Sequence, residues 1–405
     1  MVFLNQLGIT CSLGMSKKEV IKHLLNPGER QSYLTLNREL GLEDQEYYVG
    51  QARGDLPNLA DYPLAYHSRN NQLALSAYRQ IEAEVQQLRQ SLPDERIGVI
   101  IGTSTSGISD GEIALRKRQQ QGQWPQDYHY SKQEMGAVSE FVAHLSQAKG
   151  PCYSLSTACS SSGKALLSAR NLIESGFVDA VICGGVDSLS RLPVNGFAAL
   201  EAMAETFTQP FKAGRDGINI GEAAALFVMT REAQGIALLG GGESTDAHHI
   251  SAPQPEGEGA LSAMRAALSD AQISAEQLDY INAHGTGTPL NDAMESQAIY
   301  KLVADQVPVS STKELTGHTL GAAGALEAGL CWLLLSPYNT AAKLPVSVAS
   351  GEADPSLAPI RYCDGAESDV RLCLSNSFAF GGNNVSLILG TVSHNDRVTR
   401  YKEAQ

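Results

Sequence analysis

Short apolar runs recur along the chain and alternate with longer segments whose apolar residues are three and four positions apart. Several runs are apolar on both faces and bounded by glycine or turn residues, which is typical of strands covered by helices on both sides. The predicted strands are 96–103, 151–156, 179–185, 223–230, 236–241, 278–284, 371–375 and 384–389. The predicted helices are 71–91, 162–175, 257–271, 293–303 and 322–335. This alternation predicts an α/β fold with a mostly parallel sheet.

The length of the chain indicates two fused units. A chain of 405 residues that is 43% hydrophobic exceeds the size at which single cores stop growing. One strand pattern ends at Thr230 and another opens at Ile236, so we divide the chain into an N-terminal half, 1–235, and a C-terminal half, 236–405. The stretch 115–130 is predicted to be an exposed helix or loop, and the polar tail 393–405 a surface extension.

Charge and cysteine content narrow the class of protein. The formal net charge of −14 argues against nucleic acid or an anionic membrane surface as the main partner. The seven cysteines include no C-x-x-C pair, which disfavours a disulfide framework and a zinc site. The first residues lack a basic segment before an apolar stretch, and the apolar run 328–335 is too short to span a bilayer. We expect a cytoplasmic protein.

One cysteine lies between a predicted strand and a predicted helix. Cys159 stands in the segment 156–163, STACSSSG. A helix N-terminus offers unpaired N–H groups and a positive dipole end, which favour thiolate over thiol and can bind an oxyanion. Cys159 is therefore a candidate nucleophile. A buried structural cysteine is the alternative, because free cysteines are among the most buried residues.

Three glycine-rich segments carry further candidates. His284 ends a predicted strand in 282–289, NAHGTGTP, and His318 is bracketed by glycines in 310–324, SSTKELTGHTLGAAG. The last segment is 375–384, SNSFAFGGNN. Taken singly, the three could be a histidine bonded to its own loop, a solvated turn and a β-hairpin turn.

Together the four segments resemble the elongating β-ketoacyl-acyl carrier protein synthases, the condensing enzymes of fatty acid and polyketide assembly. The likeness extends over nearly the whole chain, because 7–14, 215–217 with 221–222, and 243–253 are also similar to family segments. The resemblance implies a thiolase-like five-layer αβαβα sandwich of two similar halves, normally a dimer. Cys159, His284 and His318 correspond to the Cys-His-His type of site.

The resemblance also implies catalytic roles. Cys159 would take the acyl group, and the N–H groups of Cys159 and Phe380 would form the oxyanion hole. His284 and His318 would hydrogen-bond the thioester oxygen of a malonyl unit while carbon dioxide leaves, two donors aimed at one developing charge.

Other residues match supporting positions of the family. Lys313 and Glu327 correspond to a charged pair expected to orient and tune His318, with an ordinary surface pair as the alternative. Thr286 and Thr288 correspond to positions that hydrogen-bond the pantetheine arm, with turn formation as the alternative. The expected substrate-binding residues are Thr286, Thr288, Asp246, Phe378 and Thr105. The loops of Asp246 and Phe380 are expected to move together.

The sequence departs from the family pattern at three places. Ala379 and Asn291 replace usual glycines, and 104–106, STS, stands where larger apolar side chains often line the acyl pocket. These departures predict a roomier or more polar acyl tunnel.

Partners follow from the same resemblance. The expected partner is an acyl carrier protein, whose own phosphopantetheine arm makes a metal or an organic cofactor unnecessary. Candidate docking residues are Arg69, Arg116, Lys117 and Lys212, and the alternative for each is a solvated charge. A homodimer and a heterodimer with a related ketosynthase-like subunit are both compatible with the sequence, and so are fatty acid, polyene and other polyketide pathways.

Two other functions are compatible with parts of the pattern. A cysteine hydrolase or thioesterase would use Cys159 with one histidine and would leave His318 and Lys313 unexplained. A partner subunit that only shapes another synthase's acyl pocket would not need the nucleophile.

Overall fold

Ten strands form one mixed sheet, and a separate two-stranded ribbon lies beside it in the part of the chain that the structure describes. The structure is a computed structural model that describes residues 1–29, 32–42, 45–231, 235–347 and 351–392. The strands are β1 Val2–Thr10, β2 Thr35–Asn37, β3 Tyr47–Val49, β4 Ile97–Gly102, β5 Cys152–Leu155, β6 Ala180–Asp187, β7 Ala223–Thr230, β8 Ile236–Thr245, β9 Tyr280–Asn282, β10 Val309–Ser310, β11 Leu372–Ala379 and β12 Asn383–Thr391. The helices are α1 Lys17–Leu25, α2 Arg69–Tyr78, α3 Glu82–Ser91, α4 Ile108–Gln121, α5 Ala137–Ser146, α6 Ser161–Glu174, α7 Arg191–Ala199, α8 Glu258–Ala271, α9 Pro289–Val303, α10 Lys313–Thr316 and α11 Ala323–Leu335.

The two halves of the sheet have the same topology. The strand order is β10-β9-β11-β12-β8-β1-β7-β6-β4-β5, so β8 to β12 form one half and β1 with β4 to β7 the other. Each half contains one strand that is parallel to both of its neighbours. This strand is β9, between β10 and β11, in one half and β4, between β5 and β6, in the other. The last strand of each half, β12 or β7, is antiparallel to both of its neighbours within the half. Strand β1 therefore corresponds to β8, β4 to β9, β5 to β10, β6 to β11 and β7 to β12.

Helices occupy three layers around the two halves. Helices α6 and α11 share one core with strands of both halves and so form the middle layer. Helices α2 and α5 cover the outer face of the first half, and α8 and α9 cover that of the second. All thirteen residues of α11 are buried, as a helix apolar on every side requires. The expected five-layer fold is confirmed.

The prediction of a mostly parallel sheet was wrong, because five strand pairs of the ten-stranded sheet are antiparallel and four are parallel. Strands covered by helices on both faces are apolar throughout in either direction, so their composition does not report direction. β6 and β7, for example, are buried at every position and run antiparallel.

Smaller differences concern the helices. The single helix expected over 71–91 is two helices, α2 and α3. At the break the Gln80 side chain donates to the backbone oxygens of Ile9 and Met15, contacts that a straight helix would not allow. The stretch 115–130 continues α4 and then becomes loop. The tail 393–405 lies outside the described residues. Among the helices that the structure describes, none is long and apolar enough to cross a membrane.

Candidate active site

The catalytic candidates lie on loops that follow the carboxyl ends of strands. His284 follows β9, the loop of His318 follows β10, and Phe380 follows β11, three adjacent parallel strands of one half. Cys159 follows β5 of the other half and directly precedes α6. Because the carboxyl ends of parallel strands meet at one edge of a sheet, this topology brings distant segments together.

A tight turn presents the cysteine. Ala158 has a φ of 52°, a left-handed conformation that is unfavourable for alanine. The Ser161 hydroxyl fixes the turn, since it accepts from the Thr157 N–H at 2.8 Å and donates to the carbonyl of Ala158 at 2.5 Å. The sulfur of Cys159 consequently lies at the start of α6, in contact with residues of the other half.

Cys159, His284 and His318 form one cluster. Nε2 of His318 lies 2.9 Å from the sulfur, and the two imidazole centroids are 5.3 Å apart and nearly perpendicular. One donor atom from each of the three residues lies within 4.8 Å of the others. The structure thus brings the three predicted catalytic residues together.

Hydrogen bonds to the Nδ1 atoms define the state of both rings. The Leu320 N–H donates to Nδ1 of His318 at 3.3 Å, and the Lys313 ammonium lies 3.3 Å from Nδ1 of His284. Each Nδ1 is therefore an acceptor, and in a neutral ring the proton is on Nε2. Burial and the Lys313 charge lower the pKa of both histidines well below the ordinary value, with His318 contributing at His284. Both histidines are neutral Nε2–H donors.

Lys313 contacts a different histidine from the one expected. Its ammonium donates to the His284 carbonyl at 2.5 Å and pairs with the Glu327 carboxylate, and both side chains are 2% exposed. The pair was expected to orient and tune His318, and Lys313 does lower the pKa of His318 through its charge, but its direct contact is with His284. A surface pair is excluded by the burial of both residues. Burial raises the pKa of Glu327 to about 7, and the Lys313 charge opposes that rise.

Burial of Cys159 disfavours its thiolate form. Burial raises the pKa of Cys159 to about 12, while the Lys313 charge and the N–H groups of Phe380 and Cys159 act in the opposite direction. The sequence predicted that a helix N-terminus would favour the thiolate, and burial acts against that effect. The two N–H groups that interact with the sulfur are those predicted to form the oxyanion hole.

A cavity of about 250 Å³ leads to this cluster. Its wall includes Cys159, both histidines and Phe380 of the predicted catalytic residues, and four of the predicted substrate-binding residues, namely Thr286, Thr288, Asp246 and Phe378. The hydroxyls of Thr286 and Thr288 are 2.9 Å apart. Phe380 lies against Phe197, with ring centroids 5.3 Å apart.

The Asp246 loop is bonded to the Phe380 hairpin. The Asp246 N–H donates to the carbonyl of Gly382 at 2.8 Å, and the Asn384 amide donates to the Asp246 carboxylate at 2.6 Å. The Gly381 N–H donates to the carbonyl of Ile250 at 2.8 Å. Three hydrogen bonds therefore join two loops on one side of the cavity.

Thr105 requires a correction. It is not among the described residues that line the cavity, and its hydroxyl donates to the Asp187 carboxylate at 2.8 Å. The Thr105 hydroxyl forms its hydrogen bond with an internal carboxylate and does not add a polar group to the cavity wall.

The docking candidates differ in their availability. The guanidinium of Arg69 binds the fully buried carboxylate of Glu222 through two nitrogens, and its side chain is 32% exposed. Arg69 therefore has an internal ion-pairing role, and its role in docking stays a prediction. Arg116 and Lys117 are exposed on α4, and Lys212 is half-buried with its ammonium 6.0 Å from the Tyr362 ring. The last three stay predictions.

Sequence reasoning missed Glu295. This fully buried carboxylate accepts from the N–H groups of His284 at 2.7 Å and Gly285 at 2.6 Å, and burial raises its pKa to about 7. It lies on α9, eleven residues beyond His284. The signal was a carboxylate in the second turn of the helix that follows the histidine loop.

The cluster also has the composition of a metal site, since one thiol and two imidazoles are common zinc ligands. The Lys313 ammonium against His284 opposes a divalent cation there through charge repulsion. The expectation of a metal-free, cofactor-free protein stays a prediction.

Comparisons with known proteins agree with this geometry. Residues 66–235 match the family described as "Beta-ketoacyl synthase, N-terminal domain" and residues 237–344 match "Beta-ketoacyl synthase, C-terminal domain". A 3-oxoacyl-[acyl-carrier-protein] synthase 2 of Staphylococcus aureus strain COL is 32% identical over 369 residues, which cover 85% of this chain and 88% of that protein.

Solved structures are similar over almost the whole chain. A chain of the complex between the ketosynthase ApeO and its chain length factor ApeC from Xenorhabdus doucetiae is 44% identical, with a TM-score of 0.91 and coverage of 96% of this chain and 98% of that chain. A chain of the ishigamide ketosynthase/chain length factor is 28% identical, with a TM-score of 0.83 and coverage of 97% and 99%.

Fold, site and comparisons together define an acyltransferase of the condensing type. The chain belongs to the beta-ketoacyl synthase family.

Proposed function

We propose that the chain is the active ketosynthase subunit that extends a carrier-bound acyl chain by decarboxylative condensation with a malonyl unit. The observation that carries this proposal is the pair of neutral Nε2–H donors beside one thiol, each fixed by a donor at its Nδ1. A hydrolase needs one histidine that accepts a proton. Two donors suit a reaction in which negative charge develops on one oxygen.

The first step is acyl transfer. The Cys159 sulfur attacks the carbonyl of an acyl thioester, and the oxyanion is held by the N–H groups of Cys159 and Phe380. The bond to the phosphopantetheine sulfur breaks, and the proton of the Cys159 thiol ends on that leaving sulfur. A protonated thiol in the free enzyme is compatible with this balance.

The second step is condensation. A malonyl thioester loses carbon dioxide, and the resulting enolate oxygen accepts from Nε2–H of His284 and His318. The enolate carbon then attacks the carbonyl of the acyl-Cys159 thioester. The new carbon–carbon bond replaces the carbon–sulfur bond, and the expelled thiolate takes up one proton. Removal of one such preorganised donor typically slows a reaction by about 10²- to 10³-fold.

The cavity wall fits the substrate arm. We infer that the Thr286 and Thr288 hydroxyls bind the amides of the phosphopantetheine and that Phe380 with the Asp246 loop controls access for the second substrate. The hydrogen bonds between these loops support movement as one unit.

We infer an acyl carrier protein as the substrate's carrier and a related ketosynthase-like subunit as the dimer partner. The relatives are named as an acyl-carrier-protein synthase and as ketosynthases with a chain length factor. Strand β5 supports dimerisation because it ends the sheet order and leaves one edge without a neighbouring strand of this sheet. We also propose that the chain acts in a polyketide pathway and that it is cytoplasmic. The seven free cysteines agree with a reducing compartment.

The test is mass spectrometry of Cys159 after incubation with a panel of acyl carrier proteins, followed by malonyl carrier protein. We expect an acyl adduct on Cys159 that malonyl carrier protein removes as a product two carbons longer. Cys159→Ala is the control and should abolish the adduct. Release of the free acid without malonyl carrier protein would instead identify a hydrolase. An absent adduct, together with activation of a partner synthase, would identify a supporting subunit.

A further inference from the structure

A fully buried carboxylate at the end of β6 accepts an unusual number of hydrogen bonds. Asp187 is 0% exposed, and its side-chain hydrogen bonds come from N–H and O–H donors on two loops. Its Oδ1 accepts from the Thr103 hydroxyl at 2.7 Å and from the N–H and hydroxyl of Thr105 at 2.8 Å. Its Oδ2 accepts from the Ser104 hydroxyl at 2.7 Å and the Gly321 N–H at 2.6 Å. No ion pair of Asp187 occurs among the described residues, so neutral donors alone satisfy this carboxylate.

One of these bonds reaches the His318 loop from the other half of the molecule. Gly321 follows Leu320, whose N–H donates to Nδ1 of His318. Leu320 has a φ of 53°, a left-handed conformation that a leucine adopts only where its surroundings impose it. The Gly321 N–H is also within 2.9 Å of the Ser104 hydroxyl, so the peptide next to Leu320 is held from the 103–105 loop.

The contact leaves no room for a side chain. A Cβ on Gly321 would lie 2.7 Å from Oδ2 of Asp187 and 2.7 Å from the backbone nitrogen of Ser104. The close approach of this backbone to the carboxylate is therefore specific to glycine.

We propose that Asp187 is a positioning residue for His318. Its carboxylate anchors Gly321, keeps Leu320 in the left-handed conformation and thereby holds the Leu320 N–H on Nδ1, which places the His318 proton on Nε2. Asp187 touches neither substrate nor the reacting atoms. The expected loss of activity rests on the proposed function. The position of the proton on the His318 ring does not, because it is a property of the protein without substrate.

The first experiment measures ring nitrogen shifts of ¹⁵N-histidine-labelled Asp187→Asn by long-range ¹H–¹⁵N correlation, with His318→Gln for assignment. An amide in place of Oδ2 offers a donor or a weaker acceptor to Gly321. We expect the His318 signals to change from the pure Nε2–H pattern of the wild type to a mixture of tautomers. Carbon dioxide release from malonyl carrier protein should fall about tenfold or more, part of the loss expected for a whole donor.

The matched control is Thr103→Val, which removes a donor to Oδ1 and leaves the bond between Oδ2 and Gly321. It should lower stability and leave the His318 signals unchanged. If Asp187→Asn does not fold, Gly321→Ala takes its place, since the added Cβ separates the same two groups.

The outcomes separate the two proposals. A folded Asp187→Asn, or its Gly321→Ala substitute, with unchanged His318 signals overturns the positioning role, and so does an equal change in Thr103→Val. If the wild type releases no carbon dioxide, the proposed function fails, and the nitrogen signals still decide the role of Asp187.

Discussion

At the scale of single residues, the environment of each histidine differs from that of a surface imidazole. Burial and the Lys313 charge both disfavour the imidazolium, so the folded pKa of each ring lies below 6.5. The neutral form, which is the competent donor, is consequently kept as the pH falls through 6.5 and is lost only when the pH reaches the lowered pKa.

This predicts that carbon dioxide release stays constant across pH 6.5 and shows its acid limb well below that value. A pH profile of kcat with malonyl carrier protein measures it. In Lys313→Met the acid limb should move to higher pH, because one cause of the lowered pKa has been removed. A wild-type acid limb centred at 6.5 would contradict the assignment of both rings as desolvated.

The pair of Lys313 and Glu327 predicts a stability pattern. Removing one partner of a buried ion pair leaves an uncompensated charge and costs about 3 to 5 kcal/mol, whereas an apolar replacement of both is often close to neutral. We expect Lys313→Met to lower the free energy of unfolding by about that amount, and Lys313→Met with Glu327→Leu to recover most of the loss. Urea unfolding of the two single variants and the double variant measures this, and additive losses would contradict it.

At the scale of elements, sequence patterns located three of the four strands whose loops carry the site, β5, β9 and β11, and missed the two-residue strand β10. Buried strands need continuous apolar runs, and the loops at their carboxyl ends carry Cys159, His284, His318 and Phe380. The family resemblance then assigned them correctly to one site and one fold. Buried side chains that hydrogen-bond to the backbone of these loops, and do not contact substrate, are not marked by a comparable sequence pattern.

Asp187 is an example, because it binds the N–H group of Gly321, 134 residues away, and this partner becomes visible only when the topology places the strand ends together. Glu295 binds the N–H groups of the loop just before its own helix, a contact that depends on how that loop turns back. The contact of Lys313 with His284 was also missed, because the family resemblance linked the pair to His318. Strand direction was also beyond the sequence, because burial on both faces erases the difference between parallel and antiparallel neighbours.

Alanine substitutions at two adjacent glycines of the Phe380 hairpin should have effects of different size. Gly381 and Gly382 both have positive φ, 82° and 74°, so alanine at either costs about 1 kcal/mol or more in backbone strain. A Cβ on Gly382 would also lie 2.9 Å from Cβ of Asp246, whereas on Gly381 its nearest neighbour is Asn383 at 3.7 Å.

We therefore expect Gly382→Ala to raise the KM for malonyl carrier protein more than Gly381→Ala, with similar losses of Tm. Steady-state kinetics and thermal unfolding of the two variants measure the difference. Equal kinetics in both would contradict a coupling between the hairpin and the Asp246 loop.

At the scale of the whole molecule, β5 is the element expected to form the dimer interface, because it is an edge strand of the sheet. The carbonyls of Pro151 and Leu155 accept from β4, so the alternate residues Cys152 and Ser154 direct their backbone groups to the open edge. A partner strand paired there would use the Ser154 N–H.

Ser154→Pro removes that N–H and keeps the bonds between β4 and β5. We expect the variant to fold and to sediment as a monomer under conditions in which the wild type, alone or with its partner subunit, sediments as a dimer. Analytical ultracentrifugation measures the change, with circular dichroism to verify the fold. A dimer of unchanged stability would exclude this edge from the interface.

The equivalence of the two sheet halves has an evolutionary consequence. Strand β9 with His284 corresponds to β4 with the 103–105 loop, and β11 with Phe380 corresponds to β6 with Asp187. The loops after β9 and β11 thus have counterparts in the N-terminal half that act as braces, because they support the site without facing the substrate, whereas the His318 loop after β10 corresponds to the Cys159 loop after β5. In an ancestor formed by duplication, both halves would have carried the same loops. When one copy of a loop specialised for the substrate, the equivalent loop of the other half became a support for the site. Relatives of this chain should then vary the braces together with the loops they support, even where no substrate touches them.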